Sequence, residues 1–185
     1  MKFLFFLIIL FFAPGLSFSD QSYGFTCKDS KIEGSIKYGF IGTYHFTFKD
    51  CLGTLVYDPL SKQVRSVQLK IKIKSLNSNC AWCDKIVLSK RLLDCAQYPE
   101  IVYESQTFTK KDQEYKVVGN VHVHGVNKSL KSEFSLEAYQ QKTLLLKGSW
   151  LLRRKDYNLI WNKLFDHGGF VVGETVQLNW RIYAK

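Results

Sequence analysis

The densest chemistry in the chain is the run Cys80-Ala81-Trp82-Cys83. Two cysteines three positions apart can exchange a disulfide for thiols when a helix N-terminus lowers a thiol pKa. No strand-helix-strand pattern surrounds this pair. A structural disulfide is therefore the preferred reading, with Cys80 or Cys83 joined to Cys95 or to another cysteine. Haem attachment would need a histidine after Cys83, and Asp84 stands there. A zinc site from Cys80, Cys83, Cys95 and a histidine would lack a second closely spaced ligand pair. His122 and His124 sit two apart, so on a strand both would share a face within reach of one metal. A structural, polar-face role is the expectation for them. Arg154 and Asp156 could meet the polar head of a ligand or pair with each other, and the ion pair is preferred. No nucleophile stands beside a candidate base, and no glycine-rich phosphate loop follows a strand. The inventory points to a binding protein, not an enzyme, with neither a cofactor nor a metal.

The cysteines also depend on compartment. There are five of them, Cys27, Cys51, Cys80, Cys83 and Cys95, so at least one is free or pairs between chains. The chain opens with Lys2, then an uninterrupted apolar run from Phe3 to Phe12, then Pro14-Gly15 and the small residues Ser17 and Ser19. This pattern reads as a signal peptide over 1–19, cleaved before Asp20, leaving one domain over 20–185. The run is shorter than the roughly 20 apolar residues that span a bilayer. Export would place the cysteines where disulfides form. The net charge is +10. The lysines are spread out and alternate with apolar residues, as on a solvated sheet face. Transient contact with an anionic membrane surface is compatible with that charge. Nucleic acid is not an expected partner, since no recognition motif accompanies the charge. A homodimer is left open.

The elements that position these residues are strands. From Ile36 to Phe48 the even positions are almost all apolar, against Lys37, Thr43, His45 and Thr47. Val67, Leu69, Ile71 and Ile73 alternate with Gln68, Lys70, Lys72 and Lys74. A period of two is the mark of a strand with one buried face. The rhythm breaks between Ser75 and Pro99, where Asp84 to Leu93 suits a short helix. It resumes in later runs that include Tyr115–Val123, Leu130–Ala138, Leu144–Leu152 and Val176–Ile182. The fold class is all-β: about eight antiparallel strands that close into a barrel, with a helical excursion between strands. A ten-residue strand is about 33 Å long, so any interior cavity would be long and narrow. Tyr38, Phe40, Phe46, Phe48, Leu69, Ile71, Val121, Phe134, Leu136, Trp150 and Trp180 are expected to point inward and form a ligand-binding surface. Gly119, Ser132, Ala138 and Gly148 are expected to leave room beside those rings. The competing arrangement, an outer-membrane barrel with its apolar face outward, would crowd Lys70, Lys72 and Lys74 in the lumen.

Four blocks of residues resemble a known family. They are Gly53-Thr54-Leu55-Val56-Tyr57-Asp58-Pro59; Ser75-Leu76 with Asp84, Ser89 to Asp94 and Tyr98-Pro99-Glu100-Ile101; Gly119-Asn120-Val121-His122-Val123-His124-Gly125-Val126-Asn127-Lys128; and Arg154-Lys155-Asp156-Tyr157 with Val172-Gly173-Glu174-Thr175-Val176. In order and spacing, from about Ile32 to Ala184, the chain resembles the YceI-like proteins, periplasmic polyisoprenoid-binding proteins with an extended lipocalin-like barrel. The resemblance implies a periplasmic binder or carrier of a long isoprenoid or other amphiphilic lipid, such as a polyprenyl quinone, inside the barrel. The chain departs from the family at Cys83, where arginine is frequent, at Ile86, where histidine is usual, and in carrying the Cys80–Cys83 insert. The redox reading of that insert is the alternative function.

Overall fold

The computed structural model describes residues 20–39, 42–140, 142–160 and 172–185. The expected signal peptide lies outside the described residues. Among the described residues eleven strands form one antiparallel sheet. They are β1 (Gln21–Thr26), β2 (Lys31–Tyr38), β3 (Gly42–Phe48), β4 (Cys51–Asp58), β5 (Gln63–Lys72), β6 (Leu76–Asn77), β7 (Glu100–Lys111), β8 (Glu114–Val123), β9 (Val126–Tyr139), β10 (Thr143–Arg153) and β11 (Val172–Ala184). Among the described residues there is one α-helix, α1, over Ala81–Leu88.

Eleven strands and an expectation of eight describe the same object. Three runs are bent: β1 continues into β2, β3 into β4, and β5 into β6 through a 3-10 turn at Ile73–Ser75. Counted as continuous runs there are eight, and each pairs with its sequence neighbours. The last run then pairs with the first, with Trp180 opposite Ile32. Lys185, just past β11, exchanges both backbone hydrogen bonds with Gly24 of β1, at 2.8 and 2.9 Å. The ring of pairings thus closes and leaves little open edge. The bends lie side by side and are tied together. Cys27 is bonded to Cys51, the Lys72 N–H donates to the Asp50 carbonyl, and the Lys49 N–H donates to the Ser75 carbonyl.

Alternation decides which face goes in. Val67, Leu69 and Ile71 are buried, while Lys70 and Lys72 on the same strand are exposed, as is Lys74 just beyond it. The apolar face therefore lines the interior, which overturns the outer-membrane arrangement. Lysines on the outside meet acids across strands, as in Lys116 with Glu133 and Lys147 with Glu137.

Two local expectations are corrected. Ile36 to Phe48 is not one strand but the hairpin β2–β3, with Gly39 at φ 60° in its turn. Tyr38 pairs with Gly42 across a three-residue connection. An odd-numbered loop preserves even-position parity, so the hydrophobic rhythm runs through the turn unbroken. The helix starts at Ala81, not Asp84, because Cys80 caps it: its sulfur accepts the Cys83 N–H at 3.3 Å. It ends at Leu88, since Ser89 is extended.

Candidate functional site

One end of the barrel interior holds a cavity of about 100 Å³. Its walls come from inward residues of the strands, among them Ile36, Phe46, Leu152 and Leu178. Its roof is the irregular segment: Val87 of α1, then Leu92 and Leu93 in the turns that follow, with Tyr157 and Leu159 beyond β10. These apolar residues have no strand period, yet they border the chamber.

A buried carboxylate holds α1 in place. Asp84 accepts hydrogen bonds from the Tyr44 hydroxyl at 2.7 Å and from the backbone N–H of Ser78 at 3.1 Å, and a short one from the Ser78 hydroxyl. Tyr44 stands on β3, so this contact latches the helix to the barrel wall. Burial raises the Tyr44 hydroxyl far above the ordinary tyrosine range, and it stays a donor at any physiological pH. Among the described residues, Arg154 is the one charged side chain bordering the chamber. It is 3 % exposed, and its guanidinium donates to the carbonyls of Leu159, Val172 and Gly173. Burial lowers its pKa, with Glu174 opposing. Its contacts with three carbonyls make it a brace between the segment after β10 and the start of β11.

Below the chamber the interior is filled with rings. Tyr103 lies 4.9 Å from Trp150, Trp150 lies 6.2 Å from Trp180, and Trp180 lies 5.9 Å from Phe134. Phe134 in turn stacks on Tyr115 at 5.0 Å, nearly parallel. Within this layer a second void of about 20 Å³ remains, bordered by Leu69, Tyr103, Ser132, Phe134, Trp150 and Trp180 among others.

The sequence-derived candidates divide accordingly. Phe46 and Phe48 border the chamber, while Leu69, Phe134, Trp150 and Trp180 border the small void. Ile71, Val121 and Leu136 are buried in the wall and border neither. Tyr38 is half-buried, its ring lying over Gly42. Phe40 lies outside the described residues. Gly119 and Gly148 do not leave empty room. A Cβ at Gly119 would sit 2.6 Å from the Tyr103 ring, and one at Gly148 would sit 2.5 Å from the Trp180 ring. The glycines seat aromatic rings flat against the wall, a pairing known to stabilise barrels.

The cysteine pairing is also corrected. Cys80 is bonded to Cys83, Cys27 to Cys51, and Cys95 keeps a free thiol, so the cross-link from the Cys80/Cys83 pair to Cys95 does not form. The three-residue spacing places both sulfurs on the first turn of α1, nearer to each other than to Cys95. His122 is exposed on β8, whereas His124 leaves the strand for the two-residue turn to β9. His124 and Gly125 both have positive φ, 49° and 76°, as a tight hairpin requires. The His124 ring packs on Tyr98 at 4.4 Å. The histidines therefore do not share a face. Among the described residues no group of three or more His, Cys, Asp or Glu could hold a metal ion.

Comparison with known proteins agrees with this architecture. The family model of the YceI-like domain matches residues 23–184. A UPF0312 protein of Pseudomonas savastanoi is 35 % identical over 94 residues, covering 50 % of this chain and 47 % of that one. Protein YceI of Salmonella arizonae is 27 % identical over 118 residues, 61 % of this chain and 62 % of its own. The matched stretch thus spans about half to under two thirds of these relatives. Among solved structures, BcnA of Burkholderia cenocepacia superposes with a TM-score of 0.76 at 20 % identity, over 86 % of this chain and 98 % of that chain. A polyisoprenoid binding domain from Saccharophagus degradans superposes with a TM-score of 0.73 at 13 % identity, over 89 % and 99 %. At such identities the superpositions establish the fold. With a family model matched over nearly all of the described barrel, this chain belongs to the YceI-like domain family.

Proposed function

We propose that the protein is an exported, periplasmic carrier that holds a long isoprenoid-like lipid, a polyprenyl chain or quinone, in its barrel, and that it performs no catalysis on it. The observation that carries this reading is the chamber beneath α1, whose described lining is apolar side chains apart from the braced Arg154 and the two tyrosines Tyr44 and Tyr157. The Saccharophagus neighbour's description as a polyisoprenoid binding domain supports the ligand class. Burying a CH₂ group contributes about 0.8 kcal/mol, so one five-carbon isoprene unit contributes about 4 kcal/mol. A few units give tight binding without a charged contact. At about 100 Å³ the chamber is smaller than the roughly 300–1,000 Å³ of a typical ligand pocket, so a chain is accommodated by displacement of α1 and its following turns. The positive charge suits transient docking on an anionic membrane surface, where such lipids are loaded. The test is solvent extraction of the purified protein with mass spectrometry of the extract, followed by uptake of an added polyprenyl quinone. Absence of both lipid and uptake rejects the proposal.

A second reading, thiol-disulfide exchange, is supported by one observation: Cys80 and Cys83 are bonded to each other at the start of α1, beside Trp82, which is 55 % exposed. Insulin reduction that survives Cys80→Ala rejects it.

A further inference from the structure

The barrel wall has a gap, and α1 covers it. β2 pairs with β3 along the whole of β3, but on the other side β6 pairs only with Thr47 and Phe48. Among the described residues, 42–46 of β3 have no strand on that side, and α1 is latched there through Tyr44. Tyr44 and Phe46 from this stretch border the chamber, as does Val87 of α1. The outer surface of α1 and of the turns after it is therefore the first surface met by a chain that enters here.

That surface is cationic and carries an indole. Asp84 and Val87 of α1 are buried, whereas Trp82 and Lys85, three apart on the opposite face, are exposed. From Asn79 to Gln97 the exposed charged side chains are Lys85, Lys90 and Arg91, while both acids, Asp84 and Asp94, are buried. Elsewhere on the barrel lysines meet acids, as Lys72 meets Asp50 at 3.1 Å. Among the described residues Lys85 and Lys90 form no ion pair. Leu159 borders the chamber together with Leu92 and Leu93, and the residue after it, Ile160, is 70 % exposed.

Lysines beside an exposed tryptophan are the composition of a segment that lies in the headgroup layer of a bilayer. The indole settles at headgroup depth, and each lysine is drawn to anionic lipid. We propose that α1 and the turns after it are the face that docks on an anionic bilayer, with Trp82 among the headgroups and Lys85 and Lys90 on the lipid phosphates. The proposal rests on the reading of the chamber as a lipid site and gives that site a direction of loading. With this face down, a chain leaving the bilayer passes beneath α1 into the chamber without crossing water. The net charge alone sets no such direction, because lysines are spread over the outside of the barrel.

The experiment measures co-sedimentation of the full folded protein with vesicles of mixed phosphatidylglycerol and phosphatidylcholine, against vesicles of phosphatidylcholine alone. The wild type should partition onto the anionic vesicles and release as salt rises. One lysine near such a surface contributes about fivefold, so Lys85→Gln with Lys90→Gln should weaken partition about 30-fold. Lys111→Gln with Lys142→Gln is the control of equal net charge. Lys111 lies ten residues along β7 from Ile101, and Lys142 ten residues before Leu152, each about 33 Å from the chamber wall. This pair should weaken partition about twofold or less. Trp82→Ala should abolish the blue shift of fluorescence that the wild type shows on anionic vesicles. Transfer of a polyprenyl quinone from those vesicles to the protein should slow with the Lys85 and Lys90 pair and not with the control. Equal weakening by the two pairs, or no partition by the wild type, overturns the inference and leaves the lipid site intact. If the wild type takes up no quinone from solution, the lipid reading of the chamber fails, and vesicle partition still decides the docking face.

Discussion

Tyr44→Phe is the sharpest probe of how a chain reaches the chamber. The substitution removes one hydroxyl and leaves the ring that borders the cavity. What is lost is a 2.7 Å hydrogen bond to the Asp84 carboxylate, the link between β3 and α1. Hydrogen bonds to charged groups contribute about 1.5–3 kcal/mol. Asp84 keeps both Ser78 bonds, so the lower end applies, about 1.5 kcal/mol. Chemical denaturation should report that loss as a lower midpoint at unchanged slope. If α1 must lift for a chain to pass, the same 1.5 kcal/mol leaves the barrier, and uptake should quicken about tenfold. Stopped-flow quenching of Trp150 and Trp180 fluorescence by a polyprenyl quinone reads this rate. Lower stability with an unchanged uptake rate refutes α1 as the gate. Unchanged stability refutes the latch itself.

Other perturbations test the frame around the chamber. Gly148→Ala sets a methyl 2.5 Å from the Trp180 ring and 2.8 Å from the Glu133 carbonyl, and should destabilise by about 1–3 kcal/mol. Gly24→Ala, with nothing within 4 Å, should stay within about 0.5 kcal/mol of wild type in the same denaturation assay. Replacing Cys27 and Cys51 by serine opens a link with a sequence separation of 24 and should lower stability by about 3 kcal/mol. The same change at Cys80 and Cys83, whose separation is 3, should lower it by about half as much. Asp58 accepts from Ser61, Leu60 and Arg65, and these bonds, led by the Ser61 hydroxyl, hold its pKa below the ordinary carboxylate value. Its contribution is thus full above the unfolded carboxylate pKa of about 4 and is lost as pH falls through the depressed folded value. Asp58→Asn should flatten the acid limb of a stability-pH curve, and an unchanged limb contradicts this.

The period-two pattern carried most of the fold, because a strand with one buried face writes its orientation into every second residue. Lys70 and Lys72 opposite Leu69 and Ile71 were enough to turn the apolar side inward. The same signal concealed the β2–β3 turn, since a three-residue loop keeps the parity. The chamber was only half legible. Phe46 and Phe48 lie on a periodic strand, but Val87, Leu92, Tyr157 and Leu159 lie where no period operates, and only the closed sheet brings them together. The filling of the interior was misjudged at Gly119 and Gly148, because a glycine in a strand marks either empty space or a seated ring. Disulfide partners depend on where α1 begins, and its cap at Cys80 is a cysteine sulfur instead of a usual serine, threonine or aspartate.

Leu151 and Leu152 are neighbours on β10 that face opposite ways: the first is 66 % exposed, the second 8 % exposed and on the chamber wall. Tryptophan at each position, followed by titration with a polyprenyl quinone, asks directly whether the lipid lies inside. Leu152→Trp should fill the cavity and abolish saturable binding in a protein that still unfolds cooperatively, whereas Leu151→Trp should bind as wild type does. Equal binding by both variants would place the lipid somewhere other than the chamber.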